Sequence, residues 1–222
     1  MPTSRAPLST RRVLQAALSL ADSGGTDALT MRHLGRHLGV EAMSLYRHVA
    51  NKDAVLDGIL DMVVSEIDLP EQPGDWKAAM RHRGVAAFRV FSLHPWAPPL
   101  LMSRTNTGPS MLRYIDFTLG ALRGAGFSWR LADYAWNTMD SYVYGYTLRR
   151  LAFPIAPADY AETASTHQHL LAGDRYPHMA ELTRQVAEGH HPGDPDITFG
   201  LDLILDGLER LRDTEPADPT PP

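Results

Sequence analysis

The chain has 222 residues, of which 44% are hydrophobic, and it contains no cysteine, which excludes disulfides, thiol catalysis and cysteine-based zinc sites. No apolar run approaches the ~20 residues that span a bilayer, so we expect a soluble, cytoplasmic protein without a membrane partner. The net charge is −5, but the charge is unevenly distributed along the chain. Residues 1–52 carry seven Lys or Arg against three Asp or Glu, so this part is basic and suited to binding phosphate, whereas the rest of the chain is acidic.

The first predicted helix begins after a polar, proline-containing stretch, residues 1–8, that we interpret as a flexible arm. Ser9 is a good N-cap, and Leu8 and Val13 have the spacing of a hydrophobic staple. The apolar positions that follow recur every three or four residues, as on one face of a helix. Residues 23–25, Ser-Gly-Gly, end this helix.

Three more helices are predicted from residue 30 onward. Thr30 caps a short helix that Gly39 ends, because glycine adopts the left-handed conformation that a tight turn between helices needs. A second short helix runs from about residue 41 to 48, and Asn51 caps a longer one that reaches about Ile67. A short, glycine-containing turn therefore joins two short helices in the basic part of the chain.

The helix at residues 41–48 has the character of one that enters a DNA major groove. Leu45 and Val49 face inward, which leaves small, polar or basic side chains on the outer side. Arg47 is suited to a bidentate contact with guanine, and Met43 to an apolar contact with a thymine methyl group. Periodicity alone also fits an ordinary helical bundle, so these residues leave DNA binding and plain packing open.

The body begins after a Pro/Gly-rich break at residues 69–76. We predict no regular helix at residues 94–99, which contain three prolines. The predicted domains are an arm (1–8), a helix-turn-helix domain (9–50), a connecting helix (51–68), a ligand-binding and dimerisation domain (69–213) and a disordered tail (214–222). Further helices of the body are predicted from the end of the break to residue 93 and over residues 108–123, 128–153, 157–171, 177–188 and 196–212.

Aromatic and methionine side chains are frequent in the body and could line an apolar cavity with a few polar tips. The same side chains could equally form an ordinary core. The predicted ligand residues are Trp96, Met102, Met111, Tyr114, Phe117, Trp136, Met139, Tyr142 and Tyr146.

The stretch LTMRHLGRHLGV, then SLYRHV and NKDAVLD, closely resembles the DNA-binding head of the TetR family of bacterial repressors. The resemblance implies an all-α protein that binds palindromic operator DNA. One departure matters: the tetracycline repressors have a polar amide residue at the position of Ala42 and an aromatic residue at that of Arg47, so the operator sequence does not transfer. By position, the resemblance implies DNA contacts from Thr30, Met31, Arg32, Ala42, Met43, Ser44, Tyr46, Arg47, His48 and Lys52.

The body resembles the tetracycline-repressor branch more weakly, best at FGLDLILDGLERL, residues 199–211. The resemblance implies a homodimer formed by the long helix and the final helix of each subunit, and a small apolar or aromatic ligand. Some members bind magnesium-tetracycline through His and Asn residues that the matching positions here lack, so we expect no metal and no other cofactor. The predicted interface residues are Phe199, Leu203, Leu205, Leu208 and Leu211.

Two alternatives remain at this point. One is a DNA-binding protein that takes no ligand. The other is an all-helical small-molecule enzyme, which would need acid–base pairs in the body such as Asp140 with Arg149 or Asp116. No spacing selects a reaction and no residue is predicted to be catalytic. His33 and His37 share a helix face, but they have no evident third metal ligand.

Overall fold

A computed structural model describes residues 7–70, 74–171, 175–191, 193 and 196–214. These residues are all-α, as predicted: they form eleven α-helices and two short 3-10 helices (Pro157–Asp159 and Gln168–Leu171), with no β-strand. Most of the predicted arm and tail lies outside the described residues. The helices are α1 (Thr10–Gly24), α2 (Met31–Leu38), α3 (Ala42–Leu45), α4 (Lys52–Ser65), α5 (Trp76–Leu93), α6 (Ala97–Met102), α7 (Pro109–Gly124), α8 (Trp129–Ala152), α9 (Tyr160–His167), α10 (Pro177–Ala187) and α11 (Ile197–Thr214).

Capping side chains set where the helices of the head begin, as the sequence predicts. Oxygen atoms of Ser9, Thr30 and Asn51 each accept a hydrogen bond from the backbone N–H three residues later. Each bond satisfies one of the amide groups that a helix leaves unpaired in its first turn. Gly39, with a φ of 68°, ends α2 in the left-handed conformation.

The apolar faces of α1 to α4 meet in one core that continues into the body. Val13 of α1, Leu34 of α2, Leu45 of α3 and Ile59 of α4 are completely buried in it. The same core includes Phe91 of α5 and residues of α6. Helix α4 therefore belongs to the head and to the body at once, so a displacement of α4 relative to the body would carry the head with it.

In the body, α5, α8 and α11 pack closely against one another. Gly84 of α5 allows the approach, since a Cβ there would lie 2.9 Å from a methyl carbon of Leu201 in α11. At the start of α5, Lys77 lies 2.7 Å from carboxylate oxygens of both Asp206 and Glu209. Within the described ranges, no helix is both long and apolar enough to cross a bilayer.

The structure corrects two predicted elements. Residues 97–102 form α6 although Pro98 and Pro99 fall within it. Both prolines occupy the first turn, where the missing N–H has no partner within the helix in any case. The helix predicted at residues 41–48 is also shorter than expected, because α3 ends at Leu45. A tight turn follows, in which the N–H of His48 donates to the carbonyl of Leu45 at 2.8 Å.

Candidate nucleic-acid interface and buried polar cluster

The outer side of α3 and of the turn after it carries six of the ten side chains predicted to contact DNA. Met43 is 75% exposed and Tyr46 is 44% exposed, whereas Leu45 between them is completely buried. The buried leucine fixes the orientation of the exposed pair because it belongs to the core formed by α1 to α4. The remaining members of this surface are the exposed Arg47 and the half-buried Ala42, Ser44 and His48.

The turn between α2 and α3 is held by close backbone contact at Gly35. A Cβ at this position would lie 2.9 Å from the carbonyl oxygen of Val40 and 3.1 Å from the backbone nitrogen of Ala42. The N–H of Val40 also donates to the carbonyl of Gly35 at 2.9 Å. The two short helices are thus locked at a fixed angle, and α3 is presented as a rigid unit.

The other four predicted DNA contacts lie at the starts of α2 and α4. Thr30 caps α2, Arg32 is exposed in its first turn, and Met31 packs partly against the core. The ammonium of Lys52 donates to the carbonyl of Thr26 at 3.3 Å. An ammonium has three N–H donors, so Lys52 keeps donors for a phosphate at the start of α4, where the helix dipole also favours an anion.

The nine predicted ligand residues do not converge on one place within the described part of the chain. Tyr114 and Trp136 both donate hydrogen bonds to Asp140. Tyr142 instead donates to the carbonyl of Ile197 in α11 at 3.0 Å, and the ring of Tyr146 packs edge-on against Phe88. Met111 and Met139 are buried, and Phe117 is partly buried beside the cluster that contains Met139.

Two of the nine lie away from the aromatic centre of the body. Met102 is 64% exposed at the end of α6. The indole N–H of Trp96 donates to Asp22 of α1 at 2.8 Å, at the junction of head and body. Trp96 and Met102 lie at the two ends of α6, which the sequence did not predict.

The five predicted dimer residues of α11 divide into a buried group and an exposed group. Leu205 and Leu208 are buried in the core of the subunit, where they pack against α5 and α8 residues of the same cluster. The sequence pattern could not separate them, because α11 has apolar residues on an inner and an outer side. Phe199, Leu203 and Leu211 are exposed, the first two by 62% and 59%.

A buried ion pair that the sequence pattern did not predict lies where α5, α7 and α8 meet. The guanidinium of Arg83, completely buried, donates from Nη2 to Oδ1 of Asp140 at 2.5 Å and stacks 4.1 Å from the ring centre of Tyr114. Asp140 accepts three further hydrogen bonds, from the Tyr114 hydroxyl at 3.2 Å, the Trp136 indole at 2.7 Å and the Tyr144 hydroxyl at 3.3 Å. We call these five residues the Arg83 cluster.

Burial controls protonation in the Arg83 cluster. It raises the pKa of the Tyr114 phenol and that of the Tyr144 phenol well above their ordinary values, so both stay protonated donors. Burial is the largest influence on the pKa of Arg83 and lowers it, but the charge and hydrogen bond of Asp140, together with Tyr114 and Tyr144, outweigh burial, so the pKa of the guanidinium is raised. The pair is therefore a cation and an anion that together carry no net charge.

The sequence does contain one signal that could have indicated the ion pair of Arg83 and Asp140. Arg83 falls in line with the buried Met80, Ala87 and Val90 of α5, a position where helical periodicity expects an apolar residue. A buried charge needs a partner. The sequence suggested Arg149 or Asp116 as partners of Asp140, whereas the structure pairs it with Arg83, 57 residues earlier in the chain.

The body also holds the head through polar contacts to α4. Arg104, just after α6, donates to Asp57 at 2.7 Å and to Asp53 at 3.1 Å. Asp61 accepts hydrogen bonds from the first two free N–H groups of α7, at Ser110 and Met111. A cavity of about 360 Å³ lies between α4 and the connection from α6 to α7, and Met111 lines it.

Comparison with known proteins gives two family matches. Residues 13–59 match the model described as bacterial regulatory proteins, tetR family, and residues 69–212 match the tetracyclin repressor-like C-terminal domain. The HTH-type transcriptional repressor DrrR1 of Streptomyces coeruleorubidus is 33% identical over 210 residues, which cover 90% of this chain and 77% of the relative. The tetracycline repressor protein class C of Escherichia coli is 28% identical over 205 residues, 90% of each chain.

Solved structures agree with these matches. The TetR family protein ActR of Streptomyces coelicolor, in complex with actinorhodin, superposes with a TM-score of 0.76 at 28% sequence identity. The superposition covers 92% of this chain and 98% of that one. The likeness therefore extends over the head and the body together.

Proposed function

The chain belongs to the TetR family of bacterial regulatory proteins, and from this premise we propose that it is a homodimeric repressor that leaves its operator DNA when a small molecule binds the body. The single observation that carries the proposal is the rigid presentation of α3. A buried Leu45 and the close backbone contact at Gly35 hold an exposed Met43, Tyr46 and Arg47 on a basic head. Relatives named as transcriptional repressors support the same conclusion.

On DNA, α3 enters the major groove and its two flanks contact the backbone. Met43 and Arg47 contact base edges, where apolar and bidentate contacts discriminate between bases. Tyr46, Lys52 and the start of α2 at Thr30 contact phosphates, which position the head without reading sequence. In a twofold dimer the two copies of α3 would lie about 34 Å apart, one turn of the duplex, and the operator would be a palindrome.

The dimer interface is formed by α8 and α11. Phe199 and Leu203 lie four residues apart, on one side of α11, and both are largely exposed in the single subunit. A twofold partner would cover this side with the same residues of its own, since an isologous interface is self-complementary. Leu211, two turns further along, extends the apolar surface.

Ligand binding in the body reaches the head through α4. Arg104 and Asp61 tie α4 to the segment between α6 and α7, so a ligand that displaces this segment also displaces the head. A ligand with different affinities for two spacings of the heads would weaken operator binding, through a coupling free energy of roughly 1–3 kcal/mol. ActR in complex with actinorhodin, named as a TetR family protein, supports a ligand-responsive body here.

The test is a selection of bound sequences from a random pool of duplex DNA with the purified chain. We expect enrichment of a palindrome whose half-sites are one helical turn apart. A chain that stays monomeric and binds no duplex at low salt would overturn the proposal. Enrichment of a site whose binding no small molecule weakens would favour the ligand-independent alternative.

The other expectations of the sequence follow from this proposal. The relatives are named as regulators, and we assign the chain no catalytic activity. A repressor that acts on operator DNA would work in the bacterial cytoplasm. The proposal requires no metal, and the described residues contain no group of three or more His, Asp or Glu that could hold one.

A further inference from the structure

Two hydrogen-bond donors of the Arg83 cluster have no acceptor. Nε and Nη1 of Arg83 are buried and have no hydrogen-bond partner among the described residues. The carboxylate of the cluster is already saturated, because each oxygen of Asp140 receives two hydrogen bonds. Leaving a buried donor of a charged group without a partner is unfavourable, so binding of a molecule that supplies an acceptor at this place is favoured.

The charge balance selects the kind of acceptor. Asp140 already neutralises Arg83, and the two phenols remain protonated. A carboxylate or phosphate arriving here would leave one uncompensated negative charge in a low-dielectric site, which is costly. A neutral carbonyl oxygen satisfies the free guanidinium N–H groups and adds no charge.

The side chains around the cluster indicate the chemical character of the rest of the ligand. The rings of Tyr114, Trp136 and Tyr144 surround the ion pair, and Phe91 packs edge-on against Tyr144 at 5.6 Å. Trp136 and Tyr144 are only partly buried, so the guanidinium lies beneath side chains that reach the surface. Aromatic walls of this kind accept an apolar, aromatic body.

We propose that the Arg83 cluster is the ligand-reading centre of the body and that its ligand is an uncharged aromatic ketone or similar carbonyl compound, held by Nε and Nη1 of Arg83. The inference rests on the proposed ligand-responsive function and names the ligand chemistry for it. It places the guanidinium, which the sequence pattern did not single out, at the centre of specificity.

Three probes of similar size test the proposal by equilibrium dialysis against the full-length protein: 2-acetylnaphthalene, 2-ethylnaphthalene and 2-naphthoate. We expect the ketone to bind about tenfold or more tightly than either analogue, since a hydrogen bond to a charged group contributes about 1.5–3 kcal/mol. Equal binding of the three, preference for the carboxylate, or no binding of the ketone at its solubility limit would overturn the proposal.

Two substitutions separate the hydrogen bond from the charge balance. Arg83→Lys keeps the ion pair but removes guanidinium donors, and we expect it to abolish the preference for the ketone over 2-ethylnaphthalene. Asp140→Asn removes the balancing charge, and we expect it to shift the preference toward 2-naphthoate. Arg89→Lys, at an exposed position of the same helix outside the cluster, is the control that should retain the wild-type ranking.

Cooperative thermal unfolding of each variant identifies any that fails to fold. If Arg83→Lys does not fold, Asp140→Asn still decides, because an unchanged ranking of the three probes would contradict the role of charge. Operator binding by the wild-type protein is measured alongside. Its persistence without ketone binding would refute this inference alone, whereas its absence would refute the proposed function.

Discussion

The imidazole of His94, at the end of α5, lies with Nδ1 2.6 Å from the carboxylate of Asp22 in α1. Its other nitrogen lies 3.2 Å from the carboxylate of Glu66, at the end of α4. One buried side chain of the body thus contacts the ends of two helices of the head. The indole of Trp96 donates to the same oxygen of Asp22, so the contact includes two aromatic rings from the body.

We predict that His94→Ala loosens the junction of head and body. Removing the ring leaves Asp22 and Glu66 without their shared partner, and we expect the free energy of unfolding to fall by about 1–3 kcal/mol. Amide hydrogen exchange in the last turn of α1 should become faster. His178→Ala, at an exposed position of α10, should change neither quantity. Unaltered exchange in α1 after His94→Ala would show that the contact does not hold the junction.

A second prediction separates positioning from base reading. Tyr46→Ala and Lys52→Ala should weaken binding to the selected operator and to unrelated duplexes by similar factors, because both residues are placed at phosphates. Arg47→Ala should change which base is preferred at one position of each half-site, at a cost of about 1–3 kcal/mol for the original base. Gel shifts on a set of single-base operator variants measure both effects.

The control for these variants is Arg113→Ala, at an exposed position of α7 in the body. It removes the same charge as Arg47→Ala without touching the proposed interface. An equal loss of affinity in Arg113→Ala and Arg47→Ala would mean that net charge alone drives binding. Unchanged binding in all three head variants would refute the proposed docking.

The head was largely predictable from sequence because local signals determine it. Ser9, Thr30 and Asn51 act on amides three residues away, and Gly39 acts on its own backbone. Such interactions depend on little beyond the neighbouring sequence, so composition and spacing reveal them. The pattern of the turn after α2 is also specific enough for a family resemblance to suggest the DNA contacts.

The body was less predictable because its important contacts join distant residues. Arg83 finds Asp140 only when α5 and α8 pack together, and no local pattern pairs them. The inner and outer apolar sides of α11 look alike in sequence, and only packing separates the buried Leu205 from the exposed Leu203. The helix at Pro98 was missed since a proline stops a helix in its interior but is tolerated in its first turn.

A third prediction concerns Gly35. Gly35→Ala places a Cβ against backbone atoms of Val40 and Ala42, which cannot move without changing the angle between α2 and α3. We expect a loss of about 1–3 kcal/mol in stability, as for other overpacked sites, and at least a comparable loss in operator affinity. Gly120→Ala in α7 meets no atom within 4 Å and should be neutral or slightly stabilising. Chemical denaturation and gel shifts measure the two quantities.

The outcome that would contradict the third prediction is specific. If Gly35→Ala binds the operator as the wild type does, the angle between the two short helices is not what presents α3. A stable Gly35→Ala variant with weak binding would instead separate the angle from the overall fold, and would strengthen the case for rigid presentation.

A fourth prediction addresses the dimer. Phe199→Glu and Leu203→Glu each introduce a charge at the proposed interface, where two copies face each other across the twofold axis, and the like charges repel. We expect sedimentation to show a monomer for the double variant and weaker operator binding, since each half-site is then bound separately. Leu93→Glu replaces another strongly exposed leucine away from α11 and should leave the dimer intact. A dimeric double variant would place the interface elsewhere.

The last prediction tests how the Arg83 cluster contributes to stability, independently of any ligand. Arg83→Met leaves the buried carboxylate of Asp140 without its cation, and we expect a loss of about 3–5 kcal/mol in the free energy of unfolding. Adding Asp140→Leu removes the stranded charge, so the double variant should recover much of that loss although Tyr114 then lacks its acceptor. Urea unfolding of the two single variants and the double variant completes a double-mutant cycle. Additive losses would mean that water already solvates the ion pair of Arg83 and Asp140. The guanidinium donors of Arg83 would then already have water as a hydrogen-bond partner, and no unpartnered donor would remain for a ligand.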